Sequence, residues 1–247
     1  MRRLRLASSV FALAAVALLA SGCSAGPASP APTSTGGADS APPQSDDTIG
    51  PMPDDIEAAW LDGGRSFGIV TWGSSSEACQ PALAEATAEG QVVSVTLSDP
   101  EQKNAVCLSD LGPHAILVPV PEGVDVTNDV ELRVTHGDVS DDADLDGLAD
   151  PAAIDTDYQP SAGWFDDDGI VLLTWGSSSC RPEAEEVTQS DAGATVTFAD
   201  NDGVCTMDMA PRLTVISLTG DRDDDAPFAL TLKGGGLDGT VDVLGRG

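Results

Sequence analysis

A tandem repeat constrains the fold of this chain more than any single motif. Thr71-Trp72-Gly73-Ser74-Ser75-Ser76 returns as Thr174-Trp175-Gly176-Ser177-Ser178-Ser179, and each copy leads to a cysteine followed by x-Pro, at Cys79-Gln80-Pro81 and Cys180-Arg181-Pro182. Upstream, Trp60 matches Trp164; downstream, Cys107-x-x-Asp110-x-x-Pro113 matches Cys205-x-x-Asp208-x-x-Pro211. All four tryptophans and four of the five cysteines fall into matched pairs. Self-similarity of this kind means one structural unit built twice. It predicts two homologous domains, 54–140 and 158–247, each of about 90 residues and large enough for a modest core of its own.

The patterning within each copy is β. Short runs of Val, Ile, Leu and Thr alternate with Gly, Asp and Pro turns. Strands are predicted near 67–72, 91–98, 105–109, 114–120 and 129–135, and again near 169–175, 194–199, 203–207, 212–218 and 227–232. Val93, Val95 and Leu97 alternate with Ser94 and Thr96, and Val196 and Phe198 alternate with Thr195 and Thr197, the period of a half-buried strand. The Ala- and Glu-rich stretch 81–89 reads as a helical turn, and its counterpart 182–190 as an irregular strand or short helix. The fold class is therefore all-β: two tandem, small, antiparallel β-sandwich-like domains, with a small barrel as the alternative.

Cys79, Cys107, Cys180 and Cys205 allow three pairings, and the repeat selects Cys79–Cys107 and Cys180–Cys205, one staple per domain. Such bonds persist in an exported chain. Neither copy has Cys-x-x-Cys, and no histidine accompanies both pairs, so the cysteines read as structural. The Gly-Ser-Ser-Ser stretch invites a serine nucleophile, but a nucleophile needs a base. His114 and His136 have no counterparts in the second copy, and Gly-x-Ser-x-Gly is absent. The serines read as a turn whose hydroxyls serve the backbone, and Asp110 and Asp208 as turn or strand-end hydrogen-bond acceptors. Trp72 and Trp175 are expected in the core, while Trp60 and Trp164, nearer a hairpin, read equally as core or as partly exposed.

Charge narrows the function. The chain carries 41 Asp and Glu against 11 Lys and Arg, a net charge of −30. Such a surface repels phosphate backbones, which excludes nucleic-acid binding. Three of the basic residues, Arg2, Arg3 and Arg5, precede an apolar run from Leu6 to Ala20 that is short for a membrane span. That run ends in Leu19-Ala20-Ser21-Gly22-Cys23. The segment resembles the lipobox signal of bacterial lipoproteins, with Ala20 where Leu is commoner. The resemblance implies that 1–22 is a signal peptide, that Cys23 is lipidated, and that the protein sits on the cell membrane facing outside the cytoplasm. Residues 23–53, rich in Ser, Pro, Ala, Gly and Thr, then read as a disordered tether spanning roughly 30 Å.

An acidic linker, 141–157, is expected between the domains. Asp142-Ala143-Asp144-Leu145-Asp146-Gly147-Leu148-Ala149-Asp150 resembles the calcium loops of thrombospondin type 3 repeats and dockerins. In such loops Asp142, Asp144, Asp146 and Asp150 would be the ligands, alternate carboxylates wrapping a hard cation about a turn at glycine. Leu145-Asp146-Gly147-x-x-Asp150 also reappears as Leu237-Asp238-Gly239-x-x-Asp242. The alternative is thus a terminal hairpin turn shared by both domains. No cofactor is expected on the leading reading, and calcium is the one the alternative reading would take. The leading functional expectation is a lipid-anchored, non-catalytic binding or envelope-associated protein with an envelope or extracellular ligand. A calcium-dependent structural or adhesion protein and a serine hydrolase are the alternatives.

Overall fold

The structure, a computed structural model, describes residues 56–99, 105–149, 151, 158–190, 192–201, 203–220 and 226–245. The expected signal segment, Cys23, the expected tether and Asp150 lie outside the described residues. The first repeat contains β1 (Glu57–Leu61), β2 (Ser66–Gly73), β3 (Ala82–Glu89), β4 (Val92–Ser98), β5 (Gly112–Pro119), β6 (Val130–His136) and β7 (Val139–Leu145). The second contains β8 (Ser161–Asp166), β9 (Gly169–Gly176), β10 (Ala184–Ser190), β11 (Gly193–Phe198), β12 (Ala210–Ser217), β13 (Ala229–Lys233) and β14 (Gly239–Leu244). No α-helix is found among the described residues; Asp62–Gly64 and Glu77–Cys79 are short 3-10 turns. The all-β, disulfide-stapled class expected from the sequence is the one found.

Each repeat is a sandwich of a three-stranded sheet, β1-β2-β5 or β8-β9-β12, over a four-stranded one, β3-β4-β6-β7 or β10-β11-β13-β14. Inward side chains of both sheets make the first core, with Trp60, Phe67, Ile69, Val93, Val95, Leu97, Val118, Leu132, Val134 and Leu145. The second core holds Trp164, Ile170, Leu172, Val196, Phe198, Leu230 and Leu232. The pairing is not wholly antiparallel. The chain leaves one sheet after β4, runs through β5 in the other, and returns as β6, so β4 and β6 lie parallel, as do β11 and β13. In the second repeat β14 also pairs in parallel with β8, joining its two sheets.

Several sequence expectations give way here. Residues 82–89 form strand β3, paired to β4 with a bulge between Leu83 and Glu85, because pairing and burial of Leu83, Ala86 and Ala88 override the helix preference of Ala and Glu. The counterpart 184–190 is also a strand, bulged between Ala184 and Glu186. Segments 105–109 and 203–207 are loops, not strands. The acidic linker does not begin at 141. Strand β7 runs to Leu145, and Leu148 is buried against the first core.

The two repeats also pack against each other. Both lie in one compact unit, Ile49–Gly247. The three-stranded sheets pack their outer faces on each other around a third core of Ala59, Leu61, Val70, Phe165, Val171 and Leu173. Strand alternation supplies both cores. In β1, Ala58 and Trp60 face the first core while Ala59 and Leu61 face the third. The contact is close: a Cβ on Gly163 would lie 2.1 Å from the Trp60 carbonyl oxygen. The Asp62 amide donates to Ser161 Oγ across the same junction, at 2.8 Å.

Candidate functional site

The repeated motifs converge on one kind of loop, built once in each repeat. Strand β2 delivers Trp72-Gly73 to a serine turn and the 3-10 turn Glu77–Cys79, and Cys79 is bonded to Cys107 with the Cα atoms 5.7 Å apart. Strand β9 delivers Trp175-Gly176 to a serine turn in the second repeat, and Cys180 is bonded to Cys205 with the Cα atoms 5.5 Å apart. Both pairings are those selected by the repeat.

The aspartate three residues after the second cysteine closes each loop. Asp110 Oδ1 accepts the Ser75 amide at 3.0 Å, and Asp208 Oδ1 accepts the Ser178 amide at 3.1 Å. Asp208 also accepts the Thr206 hydroxyl. Hydrogen bonds from the Ser178 and Thr206 hydroxyls, then the Ser178 amide, hold the Asp208 carboxyl down to about 2. The Ser75 hydroxyl and amide lower that of Asp110 in the same way. The serines serve the loop itself. Ser74 Oγ accepts the Ser76 amide at 3.3 Å, Ser76 Oγ donates to the Val106 carbonyl at 3.3 Å, and Ser179 Oγ accepts the Thr206 amide at 3.0 Å. This is the turn role expected of the Ser-Ser-Ser stretch and of the two aspartates.

The repeats differ at one anchoring position. Arg212 donates to the carbonyls of Cys180, at 3.0 Å, and Trp175, at 3.1 Å, and its guanidinium lies where a side chain on Gly176 would otherwise sit. Burial lowers the pKa of Arg212. Its ladder equivalent in the first repeat is His114, buried opposite Thr71 with Nε2 unpartnered. His136 Nε2 meets Asp99 Oδ1 at 2.9 Å. Neither histidine ring nitrogen Nε2 is hydrogen-bonded to a serine, the pairing a serine hydrolase requires.

The inner tryptophan pair departs from the expected core packing, and the outer pair takes the core. Trp60 and Trp164 are fully buried in the centres of the two sandwiches. Trp60 Nε1 donates to the Asp146 carbonyl at 2.7 Å, tying the end of β7 to the core. Trp72 and Trp175 are the half-buried pair, at the roots of the loops. Tyr158 packs edge-on against Trp175, ring centroids 5.3 Å apart.

The feature the sequence reading missed is what these loops show to water. Val106, Leu108 and Leu111 in the first loop, and Val204, Met207 and Met209 in the second, are exposed large apolar side chains. Val106 and Val204 occupy the same place before the cysteine, and Leu111 and Met209 the same place after the aspartate. Val204 and Met207 are completely exposed, at 101% and 103%. The signal available was turn chemistry, Asn201-Asp202-Gly203 before Val204 and Ser109-Asp110 before Leu111, which argues against continuous strand. The two loops touch: Arg181 Nε lies 2.9 Å from Glu77 Oε1.

The calcium-loop residues are placed as follows. Asp142 and Asp144 project from the outer face of the extended strand β7, opposite Arg133 and Glu131. Asp146 follows the strand, and Asp150 is outside the described residues. Among the described residues, no group of three or more His, Cys, Asp or Glu is gathered for a metal ion. Leu145-Asp146-Gly147 runs out of the end of β7 whereas Leu237-Asp238-Gly239 leads into the start of β14, so they are not one shared hairpin turn. The chain matches no protein-family model, no curated protein and no solved structure.

Proposed function

We propose that this chain is a lipid-anchored, extracytoplasmic protein working as a non-catalytic binding or envelope-associated module. Cys23 would carry the lipid, and the tether would hold the paired sandwiches off the membrane. The observation that carries the binding role is the loop built twice. In both copies, hydroxyls and a carboxylate that could have served chemistry are engaged in holding a loop still, and that loop presents apolar side chains to solvent. A preordered apolar loop loses little conformational freedom on binding.

The anchor is tested by palmitate labelling of the full chain in a bacterial host. The expected result is label on the wild-type chain and none on Cys23→Ala, with the variant leaving the membrane fraction. An unlabelled wild-type chain, or a labelled variant, overturns the anchor.

A calcium-dependent structural role is the second reading; Asp129, Glu131, Asp144 and Asp146 line one shallow groove without being gathered as a metal-ligand group. It requires a calcium site, seen by calorimetry and not shared with magnesium, that is lost in Asp144→Asn/Asp146→Asn. Weak binding common to both cations and unchanged in the variant rejects it.

A further inference from the structure

We infer that the two disulfide loops together form a docking surface for a basic polypeptide segment carrying apolar side chains, an inference that rests on the binding-module reading above. Six large apolar residues, Val106, Leu108, Leu111, Val204, Met207 and Met209, stand in water on two loops that an ion pair joins. Large apolar side chains held in water on two braced loops, at matched places before the cysteine and after the aspartate, are what a docking surface requires. Each loop is fixed by a disulfide and an aspartate acceptor, and the second also by Arg212.

Charge selects the occupant. The chain has 41 acidic residues against 11 basic ones. Three of its described cations are already engaged: Arg133 with Glu131, Arg181 with Glu77, and Arg212 with two carbonyls. An approaching partner therefore meets carboxylates with little neutralisation. A second copy of the chain, or an anionic lipid surface, would be repelled by that field. A cationic segment is attracted by it and seats its apolar side chains on the loops.

The experiment uses the full chain and three labelled probes of equal length: poly-lysine, a lysine–phenylalanine copolymer and a glutamate–phenylalanine copolymer. The lysine–phenylalanine copolymer is expected to bind at least about tenfold tighter than poly-lysine, because its phenylalanines cover the apolar loops. A variant with Val106→Ser, Leu108→Ser, Val204→Ser and Met207→Ser should lose most of that difference, while its affinity for poly-lysine stays within about twofold. All four side chains are exposed, and an unchanged thermal melt shows that the variant is folded. Three results overturn the inference: the variant keeps the copolymer preference, the glutamate–phenylalanine copolymer binds as well as the lysine–phenylalanine one, or the loops mediate only self-association or binding to phosphatidylglycerol vesicles. Failure here with palmitate still on Cys23 leaves the anchored-module reading standing and removes the partner chemistry alone.

Discussion

Replacing Gly163 with alanine tests the junction between the repeats. The added Cβ would meet the Trp60 carbonyl oxygen at 2.1 Å, where real Cβ atoms essentially never come within 3.0 Å, so the strands must open by about 0.9 Å. Neither side can yield by a rotamer change. The contacted atom is backbone, in a strand paired on its far side to β2 through Trp60↔Phe67. Gly163 is itself held between Val171 of β9 and Leu244 of β14. Opening the junction loosens the third core, where Ala59, Leu61, Val171 and Leu173 are fully buried. Overpacking of this kind costs about 1–3 kcal/mol, and a backbone contact falls at the upper end, about 3 kcal/mol. With a urea slope of about 2 kcal/mol per molar, the midpoint falls by roughly 1.5 M. The assay is equilibrium unfolding followed by tryptophan fluorescence and far-UV circular dichroism. Gly112→Ala is the control, since a Cβ there meets nothing within 4 Å. Both probes should show a single transition displaced together. A Gly163→Ala variant as stable as Gly112→Ala, or one whose second repeat melts while the first stays folded, refutes the shared core.

Two further predictions concern the loops. Replacing Cys180 and Cys205 with serine removes a bond closing a separation of 25 residues, which is expected to lower stability by about 3.5 kcal/mol on the chain-entropy account; unchanged urea unfolding would contradict it. The Asp208 carboxyl is held down to about 2 by the Ser178 and Thr206 hydroxyls and the Ser178 amide, below its ordinary 3.8. A carboxyl depressed in the folded state stabilises fully above its unfolded pKa, and the contribution is lost as pH falls from about 4 through about 2. The Ser178 amide resonance should shift over that window and not near neutrality, and the step should vanish in Asp208→Ala; a midpoint at 3.8 or above removes the hydrogen-bonding explanation.

Much of this fold was legible in the repeat and in strand periodicity. Val93, Val95 and Leu97 marked β4 by alternation, and the matched cysteines gave both disulfides. What was not legible depends on tertiary context. Ala82–Glu89 has the composition of a helix and becomes a strand because β4 offers it a partner. The aspartates of β7 suggested a loop because alternating Asp suits both a cation site and the outer face of a strand, and only pairing with β6 decides between the two backbones. The shared third core had a trace in the unbroken apolar run Gly169-Ile170-Val171-Leu172-Leu173, which fits a strand buried on both faces. A repeat, however, suggests independent units when read alone. The candidate site was half legible: the serines, Asp110 and Asp208 were read as turn chemistry, while exposure of Val204 and Met207 cannot be read from residue type.

The most direct test of the account is hydrogen exchange of the full chain with and without the lysine–phenylalanine copolymer. Added protection is expected only in the two loops, 105–111 and 203–209, and the serine turns bonded to them, with both sandwiches unchanged. Protection elsewhere on the strands, or none at saturating copolymer, would contradict it.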